Sequence, residues 1–598
     1  MPAVAVTSDL GARADTAPGP TGLAPEDVAV DGPHAASPSA DPVDTAVPDA
    51  RRDLFVLVAA ALVLVPSLVA AVSALRHPYI PTNDWALMEL QVRQVGTGDT
   101  PLVGVWSRFG WRHPGPLLFY ALALPYRLVP DDRGLLFATA CVNLAATVGF
   151  ALVVIRYPRT RALIALFGMA MLQRGLGIDQ LGDPWNPTIL IVPFALYLVL
   201  CVEIAAGKQR WPLAVAAGVA SFVVQAHVGL LQPVVLVGGV ALGLRWLQTR
   251  PRRIPWRSLV PSAVVLALAW LPAVIDQLNG SGNLGLLFRW ARGDDIGGGM
   301  GVLTEGRLSH ERIVEGAAWL LDPTGMWVGR FQPIDVFGSL LLGEGRPLTL
   351  LWVPAVLGLT LAIVRWAPLR DEYRRPTIAA GVLAATAVVT LFTDLLTAKG
   401  SPVFWPFRWV VAVVMLLWIA LGWAVAGAVV HRLPWLDAAR PRAGAWPARV
   451  RLAGVAMVAV VALPVALAAW RGPVGRQPMG PASDALLRLQ PAILEYARQE
   501  PLVVANTENL LNDKDLGLPV VLERAGIDWV EPSDPRAAGH HRFIVLPATA
   551  LQNPAVAATI ASGSSDLLAR SGPPRSGEPP GSELVLVRTV QPEGPSPL

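Results

Sequence analysis

The chain has 598 residues, of which 53% are hydrophobic and only 15% charged, with a formal net charge of +4. Soluble globular domains carry about 25% charged residues, so this composition excludes an ordinary soluble enzyme, and the slight positive charge gives no footing for nucleic-acid binding. The two cysteines, Cys141 and Cys201, sit inside apolar runs, which argues against a disulfide framework and a cysteine metal site.

In chain order, residues 1–52 are rich in Ala, Pro, Gly, Asp and Ser and read as a disordered cytoplasmic tail. Arg51 and Arg52 then precede an uncleaved first span at 54–75. Further apolar runs have the length of helical spans, and none shows the short alternating pattern of a β-barrel strand. Basic clusters occur at Arg51/Arg52, Arg156/Arg159/Arg161, Lys208/Arg210, Arg245 to Arg257, Arg365 to Arg375 and Arg432 to Arg451. Placing all of them inside gives spans near 54–75, 134–155, 162–178, 188–205, 211–226, 231–248, 258–275, 348–366, 376–396, 408–430 and 452–470.

The predicted fold class is therefore mainly α: a polytopic membrane protein of about eleven spans, with its N-terminus cytoplasmic and its C-terminus outside. The scheme requires "HPGPLLFYALALPYRLV" (113–129) to stay on the outer side as an interfacial or re-entrant helix. Three regions follow: the tail 1–52, a transmembrane region 53–470 whose first outer loop is 76–133, and an extracytoplasmic region 471–598. In the last, 501–506, 527–531, 542–547 and 583–590 read as strands between apolar helical stretches, a small α/β domain.

The polar residues with chemical potential collect on the outer face. Asp84 opens "NDWALMELQVRQV" (83–95), a helix expected to lie in the interface with apolar side chains in lipid. It reads either as a helix N-cap or as a general base whose pKa partial desolvation raises. Asp183, in "LGDPWNP", is good turn chemistry, yet it falls at the same depth as Asp84. His113, preceded by Arg112, and His227 form part of a polar pocket or are structural; neither has metal-ligand spacing. Arg289, Lys399 and Arg408 sit beside aromatic residues, as snorkelling anchors or as a phosphate clamp. Glu89, on the helix of Asp84, joins Arg112, His113, His227, Arg289, Lys399 and Arg408 as a candidate substrate-binding residue.

In this order, "TNDWALMELQVRQV", "RHPGPLLFYAL" and "LGDPWNP" resemble the GT-C superfamily, polytopic glycosyltransferases that use polyprenyl-phosphate sugars. The resemblance covers residues 54–275 and, by general layout only, 276–470. It implies that Asp84 is the general base, that Asp183 is the second catalytic acid, and that His113 and Pro114 shape the lipid-donor groove. It also implies an inverting transfer from a polyprenyl-phosphate sugar to a glycan or glycolipid acceptor. Members of the superfamily often carry two adjacent acids in the first loop, whereas here Asn83 and Trp85 flank Asp84. A reaction needing no cofactor is thus the simpler expectation, with a divalent metal as the alternative. The competing readings are a flippase or transporter for lipid-linked sugars and a non-catalytic envelope-assembly protein. An Ala-, Arg- and Pro-rich chain poor in lysine points to a bacterial plasma membrane.

Overall fold

The structure, a computed structural model, describes residues 53–107, 109–206, 211–248, 256–294, 296, 308–328, 343–398, 403–436, 445–472, 480–505, 517–575 and 582–590. The expected tail 1–52 lies outside them. The first helices are α1 (Leu54–Ala74), α2 (Asn83–Gln94), α3 (Leu117–Tyr126), α4 (Gly134–Val154), α5 (Arg159–Leu181), α6 (Asn186–Ile189), α7 (Ile191–Ala206), α8 (Pro212–Ala226), α9 (Leu231–Gln248) and α10 (Trp256–Asn279). There follow α11 (Asn283–Arg292), α12 (His310–Leu320), α13 (Thr324–Val328), α14 (Trp352–Trp366), α15 (Asp371–Thr397), α16 (Val410–Arg432) and α17 (Ala445–Arg471).

Among the described residues, 10 helices are long and apolar enough to cross a membrane. The difference from the expected count is α8, which at 15 residues rises only about 22 Å, short of a hydrocarbon core of roughly 30 Å. The Asn186 side-chain amide, at the start of α6, nevertheless donates to the Ala226 carbonyl at the end of α8 at 2.9 Å. That bond brings α8 back to the level from which α6 and α7 set out, so α8 makes the return pass. The stretch Asn186–Ala206 is 94% buried and forms the centre of the bundle, whereas Leu259–Asn279, at 17%, lies on its outside. Small residues let the helices approach closely: a Cβ at Gly168 would come within 2.8 Å of Ile419, and one at Gly422 within 2.8 Å of Ile164.

Two sets of bonds define the two faces. On one, the Tyr79 N–H donates to the Asp132 carbonyl at 2.6 Å, joining the exit of α1 to the entry of α4. The segment 76–133 therefore leaves and re-enters on the same face, and α3 makes no net crossing. On the other face, Asp53 pairs with Arg159, whose guanidinium also donates to the Leu436 carbonyl at 3.1 Å, and Arg161 donates to the Glu372 carbonyl at 2.8 Å. These arginines hold helix ends together where water is near, because a guanidinium in hydrocarbon is costly.

Beyond α17, whose Gly472 carbonyl accepts from the Ser73 hydroxyl at 2.9 Å, the chain forms an α/β domain on the Tyr79 face. Its elements are α18 (Gly480–Ala497), β1 (Val503–Val504), α19 (Leu518–Arg524), β2 (Trp529–Val530), β3 (His541–Pro547), α20 (Pro554–Ala561), β4 (Ser565–Arg570) and β5 (Leu584–Val590). The sheet order is β2-β1-β3-β5-β4, parallel across the first three strands and antiparallel at β5. Four strands fall where the sequence pattern puts them. The fifth, β4, does not announce itself, because an edge strand with Asp566 and Arg570 on it lacks a buried apolar run. Ile80, from the first loop, is buried in this domain's core with Leu486, Leu489 and Phe543.

Candidate active site at one membrane face

The Tyr79 face gathers the acids. Thr82, extended and without a side-chain capping bond, is the N-cap residue of α2, and Asp84 stands in the first turn, so Asp84 is not the N-cap. Asn83 has φ 50°, the left-handed region that asparagine tolerates best after glycine. The apolar side of α2 faces protein, which corrects the expectation that its apolar side chains lie in lipid. Met88 and Val92 join the bundle core, and Ala86 and Leu90 pack on Val520 of the C-terminal domain.

Asp183 lies between α5 and α6, in the turn framed by Pro184 and Pro187. The two acids are cross-tied. The Trp85 indole N–H donates to Asp183 Oδ1 at 2.7 Å, and the Trp185 indole N–H donates to Asp84 Oδ2 at 3.1 Å. The two indoles stack with centroids 5.4 Å apart, and Trp405 packs on Trp185 at 5.5 Å. Asp183 Oδ1 also accepts from the Trp185 backbone N–H at 2.9 Å. Each acid is thus held by the tryptophan that follows the other.

Arg408, just before α16, is buried and donates to the Thr188 hydroxyl. One of its guanidinium nitrogens, Nη2, and Asp183 Oδ2 are both buried without a hydrogen-bond partner. Burial pushes the Asp183 carboxyl up to about 6, against the pull of Arg408, the Trp185 backbone N–H, the Trp85 indole and Thr188. Burial likewise raises Asp84, and the Trp185 indole pulls it back. No bond to Asp84 Oδ1 forms among the described residues, so that oxygen is free to accept a proton.

The histidines stand beside this centre. Residues 104–107 and 109–113 pair as the two arms of a hairpin, in which the Gly104 N–H donates to the His113 carbonyl at 2.9 Å and the His113 N–H to the Val105 carbonyl at 2.8 Å. The hairpin is pinned to α11 by Asn283, which exchanges two 2.8 Å bonds with the Arg112 backbone. The rings of His113 and His227 pack with centroids 4.6 Å apart. Each Nδ1 accepts a backbone N–H, from Val228 at 3.1 Å and Gly229 at 3.2 Å respectively, which leaves the proton of each neutral ring on Nε2. In that tautomer Nε2 has no lone pair for a metal. Burial lowers His227 to about 4, and burial with His227 beside it takes His113 well below the usual imidazole range. Among the described residues no group of three or more His, Cys, Asp or Glu could hold a metal ion.

The remaining sequence candidates are dispersed. Glu89 is fully buried and both its oxygens are engaged by Arg524 at 2.7 Å, one also by the Tyr126 hydroxyl at 2.7 Å. That corrects its reading as a substrate contact: it is an internal ion-pair partner. Arg112 contributes its backbone to the Asn283 bonds, and burial lowers its guanidinium while Asp276 raises it. Arg289 is exposed on α11. Lys399 lies outside the described residues. Trp85, Trp185, Thr188 and Asn186 escape the sequence reading, although an Asp-Trp pair in one motif and an Asp-Pro-Trp in the other was a visible signal.

The fold and site define a polytopic membrane protein with a buried, indole-clamped acid pair and an arginine at one membrane face. No family model matches the chain, and no curated protein matches it significantly. Among solved structures it is similar to ArnT from Cupriavidus metallidurans bound to undecaprenyl phosphate, at 16% identity and a TM-score of 0.49 over 91% of this chain and 99% of that one. It is also similar to the Archaeoglobus fulgidus oligosaccharyltransferase tethered with an acceptor peptide, at 14% identity and a TM-score of 0.35 over 82% of this chain and 65% of that one.

Proposed function

We propose that this chain is a GT-C-type membrane glycosyltransferase that moves a sugar from a polyprenyl-phosphate donor to a glycan or glycolipid acceptor. The observation that carries the reading is the cross-tied pair Asp84 and Asp183 beside Arg408, at a membrane face and formed from the motifs that resemble the superfamily. The acceptor hydroxyl loses its proton to Asp84 Oδ1 as its oxygen attacks the anomeric carbon. The bond from that carbon to the phosphate oxygen breaks, its electron pair leaves with polyprenyl phosphate, and the configuration inverts. Arg408 Nη2 donates to the departing phosphate, where charge develops in the transition state. Asp183 orients Trp85 and faces Arg408. Three of these groups are fixed before substrate arrives, so little reorganisation is needed.

The site face is taken as extracytoplasmic because the arginines at 156, 159, 365, 370 and 374 belong to helix ends on the opposite face, in a bacterial plasma membrane. The proposed reaction needs no cofactor, Asp84 serving as its base. The test is transfer of radiolabelled sugar from polyprenyl-phosphate donors in membranes. Asp84→Asn should lower the rate about 10²- to 10⁴-fold with normal insertion. Full turnover by that variant would remove Asp84 as base. Donor movement across vesicles without transfer, equal in both proteins, would replace the reading with a flippase.

A further inference from the structure

The helix that carries Asp84 is held at two places. At its first turn, Trp85 is tied to Asp183 of the bundle. At its middle, Glu89 takes a two-pronged ion pair from Arg524, which lies on α19 of the C-terminal domain, with both bonds at 2.7 Å. The two side chains are 0% and 7% exposed. Arg524 also donates to the Tyr79 carbonyl at 3.2 Å, just before α2. Around this pair, the Tyr126 hydroxyl of α3 donates to Glu89 at 2.7 Å, and Arg93 bridges the Tyr126 hydroxyl at 2.9 Å to the Glu523 carbonyl at 3.2 Å. The backbones also close up: a Cβ at Gly517, where φ is +82°, would stand 2.2 Å from the Pro81 carbonyl. Ile80 N–H donates to the Ser483 hydroxyl at 2.9 Å, so the chain on both sides of Thr82 is fixed to the C-terminal domain.

We infer that Arg524 and Glu89 are positioning residues: the C-terminal domain holds α2 through them, and so sets where the Asp84 carboxylate stands against the bundle. Neither touches the reacting atoms. This inference rests on the transferase reading for its kinetic consequence, and on none of it for the clamp itself. A buried charge left alone disturbs folding more than the loss of a pair does, so the informative change is the double variant Glu89→Gln with Arg524→Gln, which leaves no uncompensated charge. Arg536→Ala, in an exposed pair of the same domain, is the control.

The experiment compares hydrogen exchange and transfer kinetics of the full-length proteins in nanodiscs. In the double variant, amides of residues 83–94 should exchange at least about 10-fold faster while those of α7 and α16 stay as in the parent. Its kcat should fall about 10- to 100-fold, since displacement of a catalytic group by about 1 Å costs up to that much, with the donor KM unchanged. Arg524→Lys, which keeps the charge and loses the fork, should fall between the two. Unchanged exchange in 83–94 overturns the clamp; faster exchange with an unchanged kcat overturns the positioning role. Should the parent protein transfer no sugar from any donor, the transferase reading fails by itself, and the exchange result still decides whether the domain holds α2.

Discussion

Asp84 and Asp183 differ in how their charge is held, and the pH dependence of transfer should show it. A base must be deprotonated to work, so activity falls as pH falls through its apparent pKa. Burial raises the base, Asp84, above the usual carboxylate range, and Asp183, pushed up to about 6, loses near that pH the charge that holds the Trp85 indole, so the rate should drop on the acid side. It should stay level from there toward pH 8, because His227, near 4, and His113, well below its usual range, remain neutral throughout. A pH–rate profile flat from pH 5 to 8 would contradict this. Trp185→Phe keeps a ring to stack on Trp85 and Trp405 but removes the N–H that stabilises the Asp84 carboxylate. Its acid limb should therefore move to higher pH, a shift that loss of folding alone does not produce.

Among the elements, the backbone around Gly104 and the first turn of α2 are closely constrained. A Cβ at Gly104 would meet the Gly115 carbonyl at 2.7 Å and the Gln225 carbonyl at 3.0 Å. Both neighbours are backbone, so Gly104→Ala should destabilise the protein by about 1–3 kcal/mol, measured as the thermal transition in detergent. Asn83 is a milder case. With φ 50°, replacement by alanine should cost about 1–2 kcal/mol, while glycine should be accepted. The comparison separates the backbone conformation from any side-chain role, and it explains why the residue before the proposed base is an asparagine here.

For the whole molecule, the two faces are set by where helix ends meet. The expected topology places the C-terminal domain and the first loop together, opposite the ends bearing Arg159, Arg161 and Arg370. With Cys141 and Cys201 replaced, a cysteine at Ser562 should react with a membrane-impermeant maleimide in intact cells. One at Arg370 should react only after permeabilisation. Labelling of both without permeabilisation would break the assignment of faces.

By itself the sequence determined the spans, the common face of Asp84 and Asp183, and most strands of the C-terminal domain. Those features follow from local hydropathy and charge, because hydrocarbon rejects charge residue by residue. Tertiary structure alone decided that Trp85 serves Asp183 and Trp185 serves Asp84, and that the Nδ1 atoms of His113 and His227 are already occupied. It alone turned Glu89 from a candidate contact into half of an ion pair with Arg524. Each of these depends on partners far apart in the chain, and one-dimensional pattern carries no measure of which buried donor reaches which acceptor.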